Sequence, residues 1–281
     1  MGMIPKPIIL DISEWQLPSQ MNYDQLAKQI AGVIIRVQYG SNYVDKHYQT
    51  HLREFQKRGI PTAVYAWVRG TSLNDMEQEA SDFYQRAKAF QPVFWWMDVE
   101  EQSMANMREG CERYRAKLKQ LGAKKIGVYV ANHLYHQFNL NVSKFDGLWV
   151  PTYGQNNGQY TGANPTATNA YHLHQYTSAG MLQGYAGELD LSRLVKGEWS
   201  FFFGETSASK PSNQFEFSTD VYLRKAASTN ASSLALLKKG ECVLIESIQV
   251  AEGYVWGKQK RTDGSFAYVA LGEWRAYGKY I

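Results

Sequence analysis

Between positions 92 and 101 the chain reads PVFWWMDVEE, an apolar and aromatic run that stops in acids. With only Asp98 charged before Glu100, the run has the pattern of a strand buried on both faces, as in a parallel sheet covered by helices. Side chains alternate along a strand, so Phe94, Trp96, Asp98 and Glu100 share one face and Val93, Trp95, Met97 and Val99 the other. Two carboxylates then project together from the end of an apolar strand. The start of a following helix accounts for Glu101, since a helical pattern begins at Met104, but not for Asp98, which lies inside the run. Burying an unpaired carboxylate is costly, and acids at strand ends are typical of barrel active sites, so the pair reads as functional.

The rest of the first two thirds fits that strand. Strand patterns at 7–12, 32–38, 61–67, 92–99 and 125–129 alternate with helical ones at 23–31, 48–58, 75–89 and 104–121. That is the rhythm of βαβ units. Shorter strand candidates follow at 147–151, 171–176 and 188–191, giving an α/β chain with a small, irregular (β/α) TIM-like barrel. Polar or aromatic residues recur near the strand ends: Asp11, Arg36, Tyr65, Trp67, Asp98, Glu100, Trp149 and Asp190. Each alone has an ordinary reading, Arg36 as an ion pair and the aromatics as core. Their repeated position is what points to a site. The uncharged stretch 152–170, TYGQNNGQYTGANPTATNA, is longer than compact domains normally use as a loop, and its Tyr153 and Tyr160 offer rings suited to sugar faces.

Residues 1–203 thus read as one domain, 204–213 (GETSASKPSN) as a small-residue linker, and 214–281 as a second domain of different texture. There short alternating strands at 220–224, 242–248 and 254–258 and turn signals at Lys239-Gly240 and Asp263-Gly264 predict a small all-β barrel. It has no acid pair, so binding is expected of it rather than chemistry. The formal net charge is only +4, which argues against nucleic acid as a partner. No stretch approaches the ~18 apolar residues of a membrane span, and MGMIPKPIIL lacks the pattern of a signal peptide. Cys111 and Cys242, in separate predicted domains, read as free thiols. The pairs His47/His51, His133/His136 and His172/His174 signal no third ligand, so neither metal nor other cofactor is expected. Nucleophile-elbow, P-loop and dinucleotide motifs do not occur.

Several of these segments, in this order, resemble the family 25 glycoside hydrolases, cell-wall muramidases of the phage-endolysin and autolysin kind. They are DISEWQ at 11–16, IIRVQYG at 34–40, VYAW at 64–67, the D-x-E of Asp98 and Glu100, LWVPTYG at 148–154, and HQYTSAG at 174–180 followed by ELDLSRL at 188–194. In the tail, GYVWGK at 253–258 and FAYVALGE at 266–273 resemble a bacterial SH3 (SH3b) wall-binding domain. The resemblance implies an SH3-like barrel there, whose aromatics Tyr222, Tyr254, Trp256 and Tyr268 include both core and groove positions, with at least one of them expected to contact the wall.

For the first domain it implies Glu100 as general acid, Asp98 as its partner, and Asp11 and Asp190 completing an acidic floor. Arg36, Tyr65, Trp67, Trp149, Tyr153 and Gln175 would meet the substrate. The proline of LWVPTYG departs from the small residue commoner there. A carboxyl pair this close allows Asp98 to be a covalent nucleophile, or to orient a substrate acetamido group that supplies its own; the second is preferred. A neighbouring charge and Trp96 are expected to raise the pKa of Glu100. The implied activity is hydrolysis of the β-1,4 bond between N-acetylmuramic acid and N-acetylglucosamine in Gram-positive peptidoglycan. Synthesis in a host cytoplasm and holin-dependent release to the wall are expected with it. A bacterial autolysin, a chitin-directed glycosidase and a catalytically silent wall-binding protein are the alternatives.

Overall fold

The computed structural model describes residues 2–204, 214–261 and 263–273 of the 281-residue chain. The chain divides into two compact units, Met1–Ala208 and Ser209–Ile281. Apart from Gly204, the segment read as a linker lies outside the described residues.

The strands of the first unit are β1 (Ile9–Ile12), β2 (Gly32–Tyr39), β3 (Tyr43–Val44), β4 (Thr62–Trp67), β5 (Trp95–Val99), β6 (Ile126–Val130), β7 (Gly147–Pro151), β8 (Leu173–Gly180) and β9 (Leu189–Leu194). β1 pairs in parallel with β2 and antiparallel with β9, so β1, β2 and β4 to β9 close a barrel while β3 forms a hairpin on β2. The pairings from β1 through β8 are parallel around the ring, but β9 runs against both neighbours. Only residues 181–188 separate β8 from β9, too few for the crossover helix that a parallel return requires.

Helices α1 (Tyr23–Ala27), α2 (Tyr48–Lys57), α3 (Leu73–Ala87) and α4 (Met107–Leu121) cover the first part of the ring. Three of the four starts follow side-chain caps: Asn22 accepts from the Gln25 N–H ahead of α1, Ser72 from the Asp75 N–H ahead of α3, and Asn106 from that of Glu109 ahead of α4. The Asn106 cap delays α4 beyond the Met104 start expected from periodicity. α4 ends at Gly122, in the left-handed region at φ 113°. Beyond β6 the helical layer thins to α5 (Tyr135–Phe138), and 152–170 contains no helix.

β5 divides its side chains as its alternation requires. Trp95, Met97 and Val99 join the apolar layer between barrel and helices, while Phe94 and Trp96 face inward among Ile9, Ile34, Ala63, Tyr129, Trp149 and Leu173. The Trp96 ring stacks on Phe94 and meets Trp149 edge-on. Room for this indole comes from two glycines: a Cβ on Gly127 of β6 would lie 2.3 Å from it, and one on Gly147 of β7 2.7 Å. Helix α6 (Trp199–Phe203) brings Phe202 and Phe203 into the same inner core, with Phe202 stacked on Phe94. The lower barrel is therefore solid, and open space is left at the end where β5 terminates in acids.

The second unit is all-β. β11 (Val221–Arg224), β12 (Ser233–Leu237), β14 (Ser247–Ala251), β15 (Tyr254–Lys260) and β16 (Phe266–Glu273) form one sheet in the order β12-β11-β16-β15-β14, and β10 (Gln214–Glu216) pairs with β13 (Cys242–Leu244). Its small core gathers Phe217, Leu223, Val243, Ile245, Ala267 and Val269.

Candidate active site

At the open end of the barrel a cavity of about 190 Å³ is lined by Asp11, Ser13, Trp15, Arg36, Tyr65, Trp67, Asp98, Glu100, Tyr129, Trp149, Tyr153, Gln175 and Asp190. All four acids and all six substrate-contact residues expected from the sequence meet here. Strand register brings them together: Asp11 pairs with Asp190, Arg36 with Tyr65, Trp67 with Asp98, and Asp98 with Tyr129. Asp190 lies at the start of its strand rather than the end. Because β9 is reversed, its first residues reach the rim where the parallel strands finish.

A chain of hydrogen bonds fixes one wall. The Tyr129 and Tyr153 hydroxyls donate to Gln175 Oε1 at 2.9 and 2.7 Å, and Gln175 Nε2 donates to Asp11 Oδ2 at 2.8 Å. The Trp149 indole N–H donates to Ser192 Oγ, fixing the ring beneath Tyr129. On another wall, Arg36 reaches Asp45 Oδ2 at 3.1 Å and Glu14 Oε1 at 3.5 Å. Two carboxylates thus already share its charge. The Trp67 N–H donates to Glu101 Oε1, which also pairs with Arg69, so Glu101 supports the rim rather than opening α4.

Four carboxyl groups this buried and this close do not all ionise at neutral pH. Burial, then Glu100, pushes Asp190 up to about 7. Asp11 is driven well above the usual range by burial and then by Asp190, against the hydrogen bond from Gln175. Asp98 is raised by burial and then by Glu100. Its Oδ1 is buried with no hydrogen-bond partner among the described residues. Glu100 is raised too, but by burial, and Asp98 acts on it in the opposite sense through a hydrogen bond. The expected direction for Glu100 holds while the expected cause does not, and Trp96 packs down the barrel against Phe94, Trp149 and Phe202. Burial thus favours the protonated form of these carboxyls, and two of them sit two residues apart on one strand end. That is the equipment of acid-assisted glycosidic bond cleavage.

Ser13, Trp15 and Tyr129 were missed. Tyr129 stands one residue before the end of β6, as Tyr65 stands two before the end of β4, and the rule that selects Tyr65 also selects it. Ser13 and Trp15 lie inside DISEWQ, of which the strand pattern singles out Asp11 alone. Tyr160 is a correction: it lies under the Arg193 guanidinium, 4.0 Å from its ring, and that arginine also bonds Asn164 and His174, so the ring fastens the long loop.

His174 accepts from Arg193 at Nδ1 and contacts the Thr152 carbonyl through Nε2. His51 is buried against the Tyr23 hydroxyl, and His172 Nδ1 accepts from the Leu148 N–H. In the second unit Trp256 is one of the core aromatics. It is 1% exposed and its N–H donates to the Ala251 carbonyl, which makes it a packing residue rather than a surface anchor. Tyr222 is 51% exposed, while Tyr254 and Tyr268 are half-buried.

Comparison with known proteins agrees with this geometry. Residues 10–185 match the family model for glycosyl hydrolases family 25. A solved family 25 glycosyl hydrolase of Streptococcus pneumoniae, described as a virulence factor participating in host cell invasion, is 39% identical, with a TM-score of 0.68 over 70% of this chain and 93% of its own. The catalytic domain of an endolysin from bacteriophage P40 of Listeria monocytogenes is 26% identical, with a TM-score of 0.65 over 73% of this chain and 98% of its own. The spore cortex lytic enzyme SleM of Clostridium perfringens shares the fold at 15% identity, with a TM-score of 0.59, covering 94% of this chain and 97% of its own. No curated protein matches. With the family model spanning more than half of the chain and the acids converging where such chemistry needs them, this chain belongs to glycoside hydrolase family 25 and is a glycoside hydrolase.

Proposed function

We propose that the chain is an N-acetylmuramidase of the endolysin type, cutting the β-1,4 bond between N-acetylmuramic acid and N-acetylglucosamine in Gram-positive peptidoglycan. Glu100 acts as general acid on the leaving oxygen. Asp98 orients the acetamido group of the muramoyl unit so that its carbonyl oxygen attacks the anomeric carbon, and water then opens the resulting ring. Asp11 and Asp190 surround the developing positive charge. The observation that carries this reading is the unpartnered, buried Oδ1 of Asp98, two residues before Glu100 at the mouth of the cavity. An acetamido N–H is a donor of the kind that oxygen lacks. The endolysin likeness supports peptidoglycan as the substrate.

In the same reading the second unit is an SH3b-type domain that holds the enzyme on the wall, with Tyr222 as its leading anchor. The protein is made in a host cytoplasm and reaches its substrate after holin-dependent release. The test is reducing-end analysis of digested Gram-positive walls, where new muramic acid ends are expected. New N-acetylglucosamine ends, or no new sugar ends, would overturn the assignment.

A further inference from the structure

The cavity of about 190 Å³ is smaller than the ~300 Å³ at which pockets begin to enclose whole drug-sized ligands. A glycan strand therefore fills it with a small part of its length and lies against the rim with the rest. On that rim stands Trp15, 75% exposed, the most exposed large hydrophobic residue among those described. Its loop is nevertheless tied down. The Ser13 N–H donates to Gln16 Oε1 at 2.9 Å, the Gln16 N–H returns to the Ser13 carbonyl, and the Trp15 N–H reaches Ser13 Oγ.

Next to Trp15, Glu14 is held at both ends. Its N–H donates to Asp45 Oδ2 at 2.8 Å, and its carboxylate takes the Tyr43 hydroxyl at 2.6 and 2.7 Å together with Arg36. Tyr43 and Asp45 belong to the hairpin formed by β2, β3 and the residue that follows. The hairpin thus props a loop whose exposed product is one indole ring.

We propose that Trp15 is a specificity-determining platform for the sugar unit next to the one in the cavity, and that Glu14 and Tyr43 are positioning residues that hold it there. The proposal rests on the muramidase reading for the identity of the glycan. The apolar face of a pyranose ring suits the indole face, and a loop backbone already tied in the free protein loses little entropy on binding. The same network gives Arg36 its role: with Asp45 and Glu14 both engaged, it is the post to which the loop is tied.

The test is steady-state kinetics on peptide-free glycan strands and on a phenolic glycoside of one N-acetylmuramoyl unit. Trp15→Ala is expected to raise KM for strands about tenfold, the size of loss typical of an aromatic anchor. The loss in kcat/KM should be at least about fivefold larger on strands than on the short glycoside. Trp15→Phe should recover part of it, and Tyr43→Phe, which cuts the contacts to Glu14 and leaves the indole, should raise strand KM about threefold. Equal losses on both substrates, or unchanged strand kinetics in Trp15→Ala, would overturn the platform. Failure of the wild-type protein to cleave strands would count against the muramidase reading instead. Calorimetric binding of strands to the Glu100→Gln protein, with and without Trp15→Ala, then decides the platform separately: weaker binding supports it and equal binding overturns it.

Discussion

Glu79 shows how strongly burial governs single residues in this barrel. It lies on α3 with no exposed surface, and its carboxylate accepts from the Arg69 N–H. Burial, helped by Asp75 and Asp82 and opposed by the Arg69 N–H and charge, pushes it up to about 8. Between its ordinary value and about 8 the native state holds a proton that the unfolded state has released, so this group's contribution to stability declines as pH rises across that window. Glu79→Gln should therefore gain stability relative to wild type between about pH 5 and about pH 8, read by urea melts at several pH values. Parallel pH dependence in the two proteins would contradict this. The pocket acids were legible in the sequence because each marks a strand end. Glu79 was not, since a helical glutamate reads as solvated until packing shows which face it occupies.

At the scale of elements, β5 is legible from its own pattern, but what accommodates it is not. Sequence alone gives no sign that Gly127 and Gly147 are cut to the shape of Trp96, because neither lies in a turn and neither has the left-handed backbone that usually explains a glycine. Gly127→Ala should cost about 1–3 kcal/mol by overpacking a fully buried ring. The measurement is a denaturant melt, and an unchanged midpoint would mean that Trp96 yields easily. The reversal of β9 is hidden for a related reason: a short strand's direction depends on the length of the preceding connection, which an alternation pattern does not encode. Asp190 was found despite this, since either end of a two-sided strand could have brought it to the rim.

For the molecule as a whole, each unit has a core of its own, so residues 1–203 produced alone should fold and still cut soluble wall fragments. If the tail targets the wall, that truncated protein should clear intact cells poorly at low enzyme concentration. Tyr222→Ala in the full chain should weaken sedimentation with purified walls several-fold without loss of folding. Equal lysis by the truncated and full-length proteins would remove the targeting role. The two-part texture of the sequence was plain from the change of period near 204. Which tail aromatics face solvent was not, because strand alternation gives two faces without saying which is covered, and Trp256 went to the covered one.

In the proposed mechanism Glu100 and Asp98 divide the chemistry, one protonating the leaving oxygen and the other stabilising the sugar. This division is tested most directly by comparing Glu100→Gln and Asp98→Asn on walls and on a muramoyl glycoside with a phenolic leaving group. Glu100→Gln should lose wall cleavage and recover much of its activity on the phenolic substrate, which needs little protonation. Asp98→Asn should stay impaired on both, because a good leaving group cannot replace an interaction made at the sugar. A phenolic substrate that rescues Asp98→Asn and leaves Glu100→Gln inactive would contradict the account.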